Sequence, residues 1–330
     1  VLSLDTLESM LDHLTNAQYL EGPAFEEHYQ TLLDRYRAAA VRDMPHAPAL
    51  LVDETGDIFR DLLSDASMAL PAAQVRGLIA PHLDYPRGRP CYAGAYGLLK
   101  GSPPPDRVVV LGTNHFGRST SVVATGKNFR TPLGTTRVDL EFLASLELRC
   151  GDLRRFELDH EREHSIELQV AWLQFLFGAD RFQFVPFLCP DPCRPTGTKP
   201  QENDGVDLSD FAQALRDVIA ADKRETLIVA GADLSHVGAA FGDDRRLEDD
   251  FLAEVRRHDE DALKHLEAGS PGDFVRTLSD TENRTRVCSA GCIFALAMAL
   301  PNANVRVLRY HQAVNQETQT CVTCAAAVFT

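Results

Sequence analysis

Three short apolar runs in this 330-residue chain each end on residues able to bind a metal ion or move a proton. Val108 to Leu111 lead through Gly-Thr-Asn to His115, Val75 to Ala80 lead to His82, and Thr226 to Ala232 lead to Asp233 and His236. Each histidine taken alone reads as a satisfied structural residue. Their joint placement after strands points to a site, because ligands of open α/β sheets bind at the carboxyl edge of parallel strands. If the three strands are neighbours, the groups share one crevice. Neutral imidazoles converging with an anionic group make a ligand set for iron, copper or zinc.

A second motif competes with the first. His160-Glu161-Arg162-Glu163-His164 matches His-Glu-x-x-His, in which two histidines one helical turn apart hold zinc and the glutamate activates water. Asp159 to Leu173 reads as the opening of a helix, which would place His160, Glu163, His164 and Glu167 on one face. No His-x-x-Gly-x-x-His follows, and no helical glutamate stands where a third ligand would be needed. A zinc metallohydrolase built on His160 and His164 is therefore the third of three functional readings.

The eight cysteines, at 91, 150, 189, 193, 288, 292, 321 and 324, read as free thiols, ligands or core residues. Cys288 and Cys292 sit where a turn feeds the apolar helix of residues 286–300, and its positive dipole end favours thiolate. Cys321 and Cys324 lie three apart in a strand and point to opposite faces. Cys189 and Cys193, in a Pro-containing loop, could pair or bind adventitious metal.

The elements that must position these groups follow from periodicity. Residues 1–74 read as a helical N-terminal extension, with Leu4, Leu7, Met10, Leu11 and Leu14 at helical spacing, and with turns at Pro45 to Pro48, where His46 is a loop residue, and at Pro71. Residues 75–330 read as one α/β domain, a central, mostly parallel sheet flanked by helices, because Val108 to Leu111 has the continuous apolar character of a strand covered on both faces. Within it, Tyr85 to Cys91 and Phe129 to Leu133 read as loops, Glu141 to Leu148 and Leu208 to Ala221 as helices, and Phe182 to Phe187 as a strand. Pro190 to Asp207 is a turn-rich lid or insertion. Two charged helices fill 243–268, and strands at Val305 to Tyr310 and Cys321 to Phe329 close the chain.

A net charge of −15 and a pI near 5.1 argue against nucleic-acid binding, which relies on basic patches. No apolar run reaches the roughly 18 residues that cross a bilayer, and no signal-peptide pattern opens the sequence, so a cytoplasmic chain is expected.

Ala80-Pro81-His82, Tyr92-Ala93-Gly94, Leu111-Gly-Thr-Asn-His115, Glu163-His-Ser-Ile-Glu167, Asp233-Leu-Ser-His236, Val287-Cys288 and Leu308-Arg-Tyr-His-Gln312 occur in the order seen in the Memo family. Bacterial and archaeal members of that family are called AmmeMemoRadiSam system protein B. The resemblance spans about residues 75 to 330 and implies a fold like that of the non-heme iron extradiol dioxygenases. It further implies that His82, His115 and Cys288 match the family's metal-binding residues, that His164, Asp233 and His236 line the same pocket as candidate acids or bases, and that Glu163 and Glu167 support it. A metal-binding redox protein is the first functional reading on this basis, with iron or copper as the cofactor. The second is a non-catalytic module that holds a small molecule or peptide in the same pocket. The family name also implies radical-SAM and AMMECR-type partners. Where relatives carry Gly-Arg-x-Pro after the cysteine, this chain has Ser289-Ala290-Gly291-Cys292, which removes a guanidinium and adds a thiol.

Overall fold

The computed structural model describes residues 3–16, 22–44, 59–64 and 74–330. The turns read at Pro45 to Pro48 and at Pro71, and the loop residue His46, lie outside them. The chain forms two compact units, Val1–Ala40 and Val41–Thr330. The first holds helices α1 (Leu4–Asn16) and α2 (Pro23–Ala38), as the periodicity predicts. The second begins well before residue 75, because β1 (Val41–Asp43) pairs in parallel with a later strand.

After helical residues 59–64 (α3) come β2 (Gly77–Ala80), α4 (Tyr85–Tyr96), β3 (Arg107–Thr113), β4 (Val123–Ala124), β5 (Asn128–Thr131), β6 (Gly134–Val138) and α5 (Leu140–Cys150). The chain continues through α6 (Ser165–Phe177), β7 (Gln183–Cys189), α7 (Leu208–Ala221), β8 (Thr226–Gly231), β9 (Asp233–Gly238), α8 (Asp249–Glu267), α9 (Pro271–Ser279), α10 (Ala290–Ala299), β10 (Val305–Asn315) and β11 (Thr320–Phe329).

The strands form one mixed sheet in the order β1-β5-β6-β7-β3-β8-β2-β11-β10, with β4 on β7 and β9 on β11. Its centre, from β6 through β7, β3 and β8 to β2, is parallel throughout. The antiparallel hairpin of β10 and β11 closes one side. The fold is thus α/β with a mostly parallel core, as expected.

Burial on both faces explains the continuous apolar runs. Val108 and Val110 of β3 pack into the core that holds α4, α6 and Trp172, while Val109 and Leu111 pack into the core of α5, α7 and α10. Every residue of β2 and β3 is buried.

Three local readings are corrected. Tyr85 to Cys91 is helix, because the Asp84 carboxylate caps it by accepting the Arg87 amide at 3.1 Å and Pro86 sits in the first turn, where its missing N–H costs nothing. Residues Phe129 to Thr131 belong to β5 rather than a loop. The two helices expected in 243–268 are one, α8. The segment from Pro190 to Asp207 is irregular, as read, and is tied to the body by amides of Gln201 and Val206 donating to Thr120 and Ser121 at 2.8 Å each.

Candidate metal centre

Three parallel strands end level with one another. Ala80 of β2 pairs with Gly231 of β8, and Leu111 of β3 pairs with Ala230. His82, His115 and Asp233 all follow within a few residues, so the topology delivers them to one edge. Two glycines at that edge let α6 come close. A Cβ on Gly112 would stand 2.5 Å from Ser165 Oγ and 2.6 Å from Ile166 Cγ1, and one on Gly231 would stand 2.7 Å from the Ser165 carbonyl. The start of α6, and with it His164, is thereby seated against the strand ends.

His82, His115 and His164 each present a ring nitrogen, and these lie within 4.8 Å of one another. Ring centroids are separated by 4.9 Å for His82 and His115, 5.1 Å for His115 and His164, and 5.6 Å for His82 and His164. Other contacts of these rings fix their orientation, and His164 Nδ1 lies 3.3 Å from Glu163 Oε1. His82 Nδ1 donates to the Gly231 carbonyl at 2.9 Å, and His115 Nδ1 lies 3.1 Å from both oxygens of Glu163. In both rings the contact at Nδ1 leaves Nε2 as the nitrogen that can ligate, the arrangement in which an outer hydrogen bond fixes the tautomer of a metal-bound histidine. The donor set fits a borderline transition-metal ion.

Glu163 organises this group. Its carboxylate accepts the His115 amide at 2.9 Å and the His164 and Ser165 amides at 2.8 Å each, in addition to the His115 ring. Burial opposes a charge there, but the His115 hydrogen bond and charge, with the Ser165 and His115 amides, hold the carboxyl below the usual carboxylate range. For His82, burial and then the neighbouring His115 push the ring down to about 3, so it stands neutral and ready to ligate.

The other expected site residues surround the cluster at different depths. Asp233 is buried, with Oδ2 3.5 Å from His82 Nε2 and Oδ1 accepting the His82 amide at 3.1 Å; burial raises its carboxyl to about 6 against the opposing effect of His236 and the Leu83 and His82 amides. His236 directs Nδ1 at the Leu234 and Arg286 carbonyls, 3.0 and 3.2 Å away, and burial lowers its ring. Cys288 has its sulfur 3.5 Å from His82 Nε2 and is not among the three residues whose ligand atoms lie within 4.8 Å of one another. His164, expected as an acid or base, thus presents a ring nitrogen beside those of His82 and His115, while Cys288, expected as a ligand, stands beside His82. Burial and then the Asp233 charge raise the Cys288 thiol well above its ordinary value, against the thiolate expected from the helix start.

The His-Glu-x-x-His reading fails on geometry. Residues 157–160 form a 3-10 turn and α6 starts only at Ser165, so His160 and His164 share no helical face. His160 is buried, directs Nε2 to the Val123 carbonyl at 3.1 Å and lies outside the imidazole cluster. Burial first, and the Arg42 charge after it, push its ring down to about 3. Sequence reasoning missed the cause, which is Arg42 on β1. Nothing in the pattern around Arg42 marks it, because a lone arginine in a short strand reads as surface. Gly231, whose carbonyl orients His82, was also passed over, although a glycine ending a buried strand is a usable signal.

A cleft of ≈ 490 Å³ opens over the imidazoles, with Leu83, Phe116, Leu168, Phe241 and Val322 among its walls. Phe116, next to His115, is 60% exposed at its rim. A second cleft, of ≈ 380 Å³, is also lined by His115 and includes Cys189, Cys288, Arg194 and Arg286. Among the described residues, no helix is long and apolar enough to cross a membrane.

The family model for Memo-like proteins matches residues 53–328. A MEMO1 family protein of Methanopyrus kandleri is 34% identical over 161 residues, covering 48% of this chain and 53% of that protein. A MEMO1 family protein of Aquifex aeolicus is 27% identical over 260 residues, covering 78% of this chain and 64% of that protein. The matches thus span about half to two thirds of these relatives' own lengths. A crystal structure of an uncharacterised Escherichia coli K12 protein overlays with a TM-score of 0.42 at 12% identity, covering 77% of this chain and all of that one, a likeness too remote to bear on function.

Proposed function

The chain belongs to the family of Memo-like proteins, and from that premise we propose that it is a metal-binding redox protein, with His82, His115 and His164 holding an iron or copper ion at the carboxyl edge of the sheet. The observation that carries this reading is the set of three ring nitrogens within 4.8 Å of one another. A bound ion of this kind supplies redox and Lewis-acid chemistry. The chain's own residues supply orientation and proton handling. Glu163 and the Gly231 carbonyl fix the ring orientations of His115 and His82. His236, with Nδ1 turned to two carbonyls, keeps Nε2 as a proton acceptor beside the cleft. Asp233, with Oδ2 3.5 Å from His82 Nε2, is a second candidate proton carrier beside the cleft.

Elemental analysis of protein purified without oxygen tests the reading. About one iron or copper per chain is expected, and His115→Ala should abolish it; zinc in its place would keep the site and remove the redox role. A second reading, a pocket that holds a peptide or small molecule without turnover, draws on the exposed Phe116 at the cleft rim. Oxygen uptake with catechol-like compounds separates the two, since only the redox protein should consume oxygen with a substrate in the cleft.

A further inference from the structure

The stretch from His160 to Ser165 does not continue as helix, although its residues allow one, and Arg42 accounts for the break. In an uninterrupted helix the carbonyls of His160 and Glu161 would receive the amides of His164 and Ser165. Here those carbonyls are turned to the Arg42 guanidinium, whose Nε donates to the His160 carbonyl at 2.7 Å and whose Nη2 donates to those of Glu161 and Glu163 at 3.2 and 2.7 Å. The freed amides of His164 and Ser165 go to the Glu163 carboxylate instead. Arg42 is 4% exposed, pairs with the Glu167 carboxylate at 2.5 Å and stacks over the Phe129 ring at 4.8 Å. A guanidinium held on three sides is a rigid template for a turn, since its planar fork fixes the direction of each hydrogen bond.

We propose that Arg42 is a positioning residue for the metal centre: it touches none of the three imidazoles, yet it folds the turn that aims Glu163 at His115 and seats His164. Arg42 lies before the residues that the family model matches, 53–328, so this support comes from outside the shared region. The inference rests on the metal-binding reading for its consequence but not for its geometry.

The test compares wild type with Arg42→Met, which keeps the length and removes every donor. Metal-free protein labelled with 15N at histidine is examined by NMR, and cobalt(II) binding is followed by its visible absorption. With a wild-type far-ultraviolet circular dichroism spectrum, the variant should lose the His115 ring N–H signal bonded to Glu163. It should also bind cobalt about 10- to 100-fold more weakly with an altered absorption band. Unchanged histidine signals and cobalt spectrum in a folded variant overturn the proposal. Should Arg42→Met fail to fold, Arg42→Lys keeps the charge beside Glu167 without the fork and is expected to fold with the same spectral losses; failure of both to fold makes Arg42 a structural clamp and also overturns the proposal. If wild type takes up no cobalt, the metal-binding reading falls while the histidine signals still decide the role of Arg42.

Discussion

Glu163 meets His115 twice, at the ring Nδ1 at 3.1 Å and at the backbone amide at 2.9 Å. One carboxylate therefore fixes both the rotation of the imidazole and the course of the chain that bears it. The same carboxylate accepts the amides of the two residues that follow it, so strand β3 and the start of α6 are joined through a single side chain.

Glu163→Gln should weaken metal binding by about 10- to 100-fold while leaving the fold intact, because glutamine is uncharged and keeps one acceptor oxygen where the carboxylate uses two, Oε1 for the His164 and Ser165 amides and Oε2 for the His115 amide. Competition with a chelating dye measures it. An affinity within threefold of wild type would remove Glu163 from the organising role.

His164→Ala and Cys288→Ala separate two ligand sets. If the three imidazoles hold the ion, His164→Ala should cost roughly 100-fold in affinity and Cys288→Ala less than about 10-fold. The reverse order would restore Cys288, only 3.5 Å from His82 Nε2, as the third ligand.

Gly112→Ala tests the close seat of α6. The added methyl meets Ser165 Oγ, which accepts the Thr113 amide at 3.0 Å, and Ile166 in the core. Urea unfolding should show a loss of about 1–3 kcal/mol, the usual cost of overpacking. A neutral result would mean that the helix start can retreat freely.

His160 sets an acid limit on stability. Its folded value of about 3 lies below the ordinary 6.5, so below pH 6.5 the unfolded chain takes up a proton that the folded chain refuses. The contribution is fully present above pH 6.5 and falls as the pH drops toward 3, by about 1.4 kcal/mol per unit at most. His160→Gln keeps a donor for the Val123 carbonyl and lacks this term, so the stability advantage of wild type over the variant should shrink through that window. A constant difference from pH 7 to pH 4 would show that His160 is free to protonate in the fold.

The parallel core was legible because its strands are buried on both faces, which writes runs such as Val108 to Leu111 into the sequence. His82, His115, Asp233 and His236 were legible for the same reason, since each follows such a run. What stayed hidden depends on partners distant in sequence. The helix expected from Asp159 is interrupted by Arg42, 118 residues before His160, and no local pattern can report that. The Pro- and Gly-rich stretch after Asp84 looked like a loop because composition outweighed one capping carboxylate. β5 is only four residues long with alternating burial, too short for its period to stand out.

Strand β8 supplies no imidazole, yet it lies between the strands that supply two. His82 and His115 must reach toward each other from backbones about 10 Å apart, twice the ordinary strand spacing, across an edge kept low by Gly231. A slip of one residue along either neighbour would carry an imidazole about 3.3 Å away and turn it to the opposite face. The tolerance of the centre is therefore inherited from the ladder of main-chain bonds beneath it, and variants that loosen β8 should spoil ion capture before they unfold the protein.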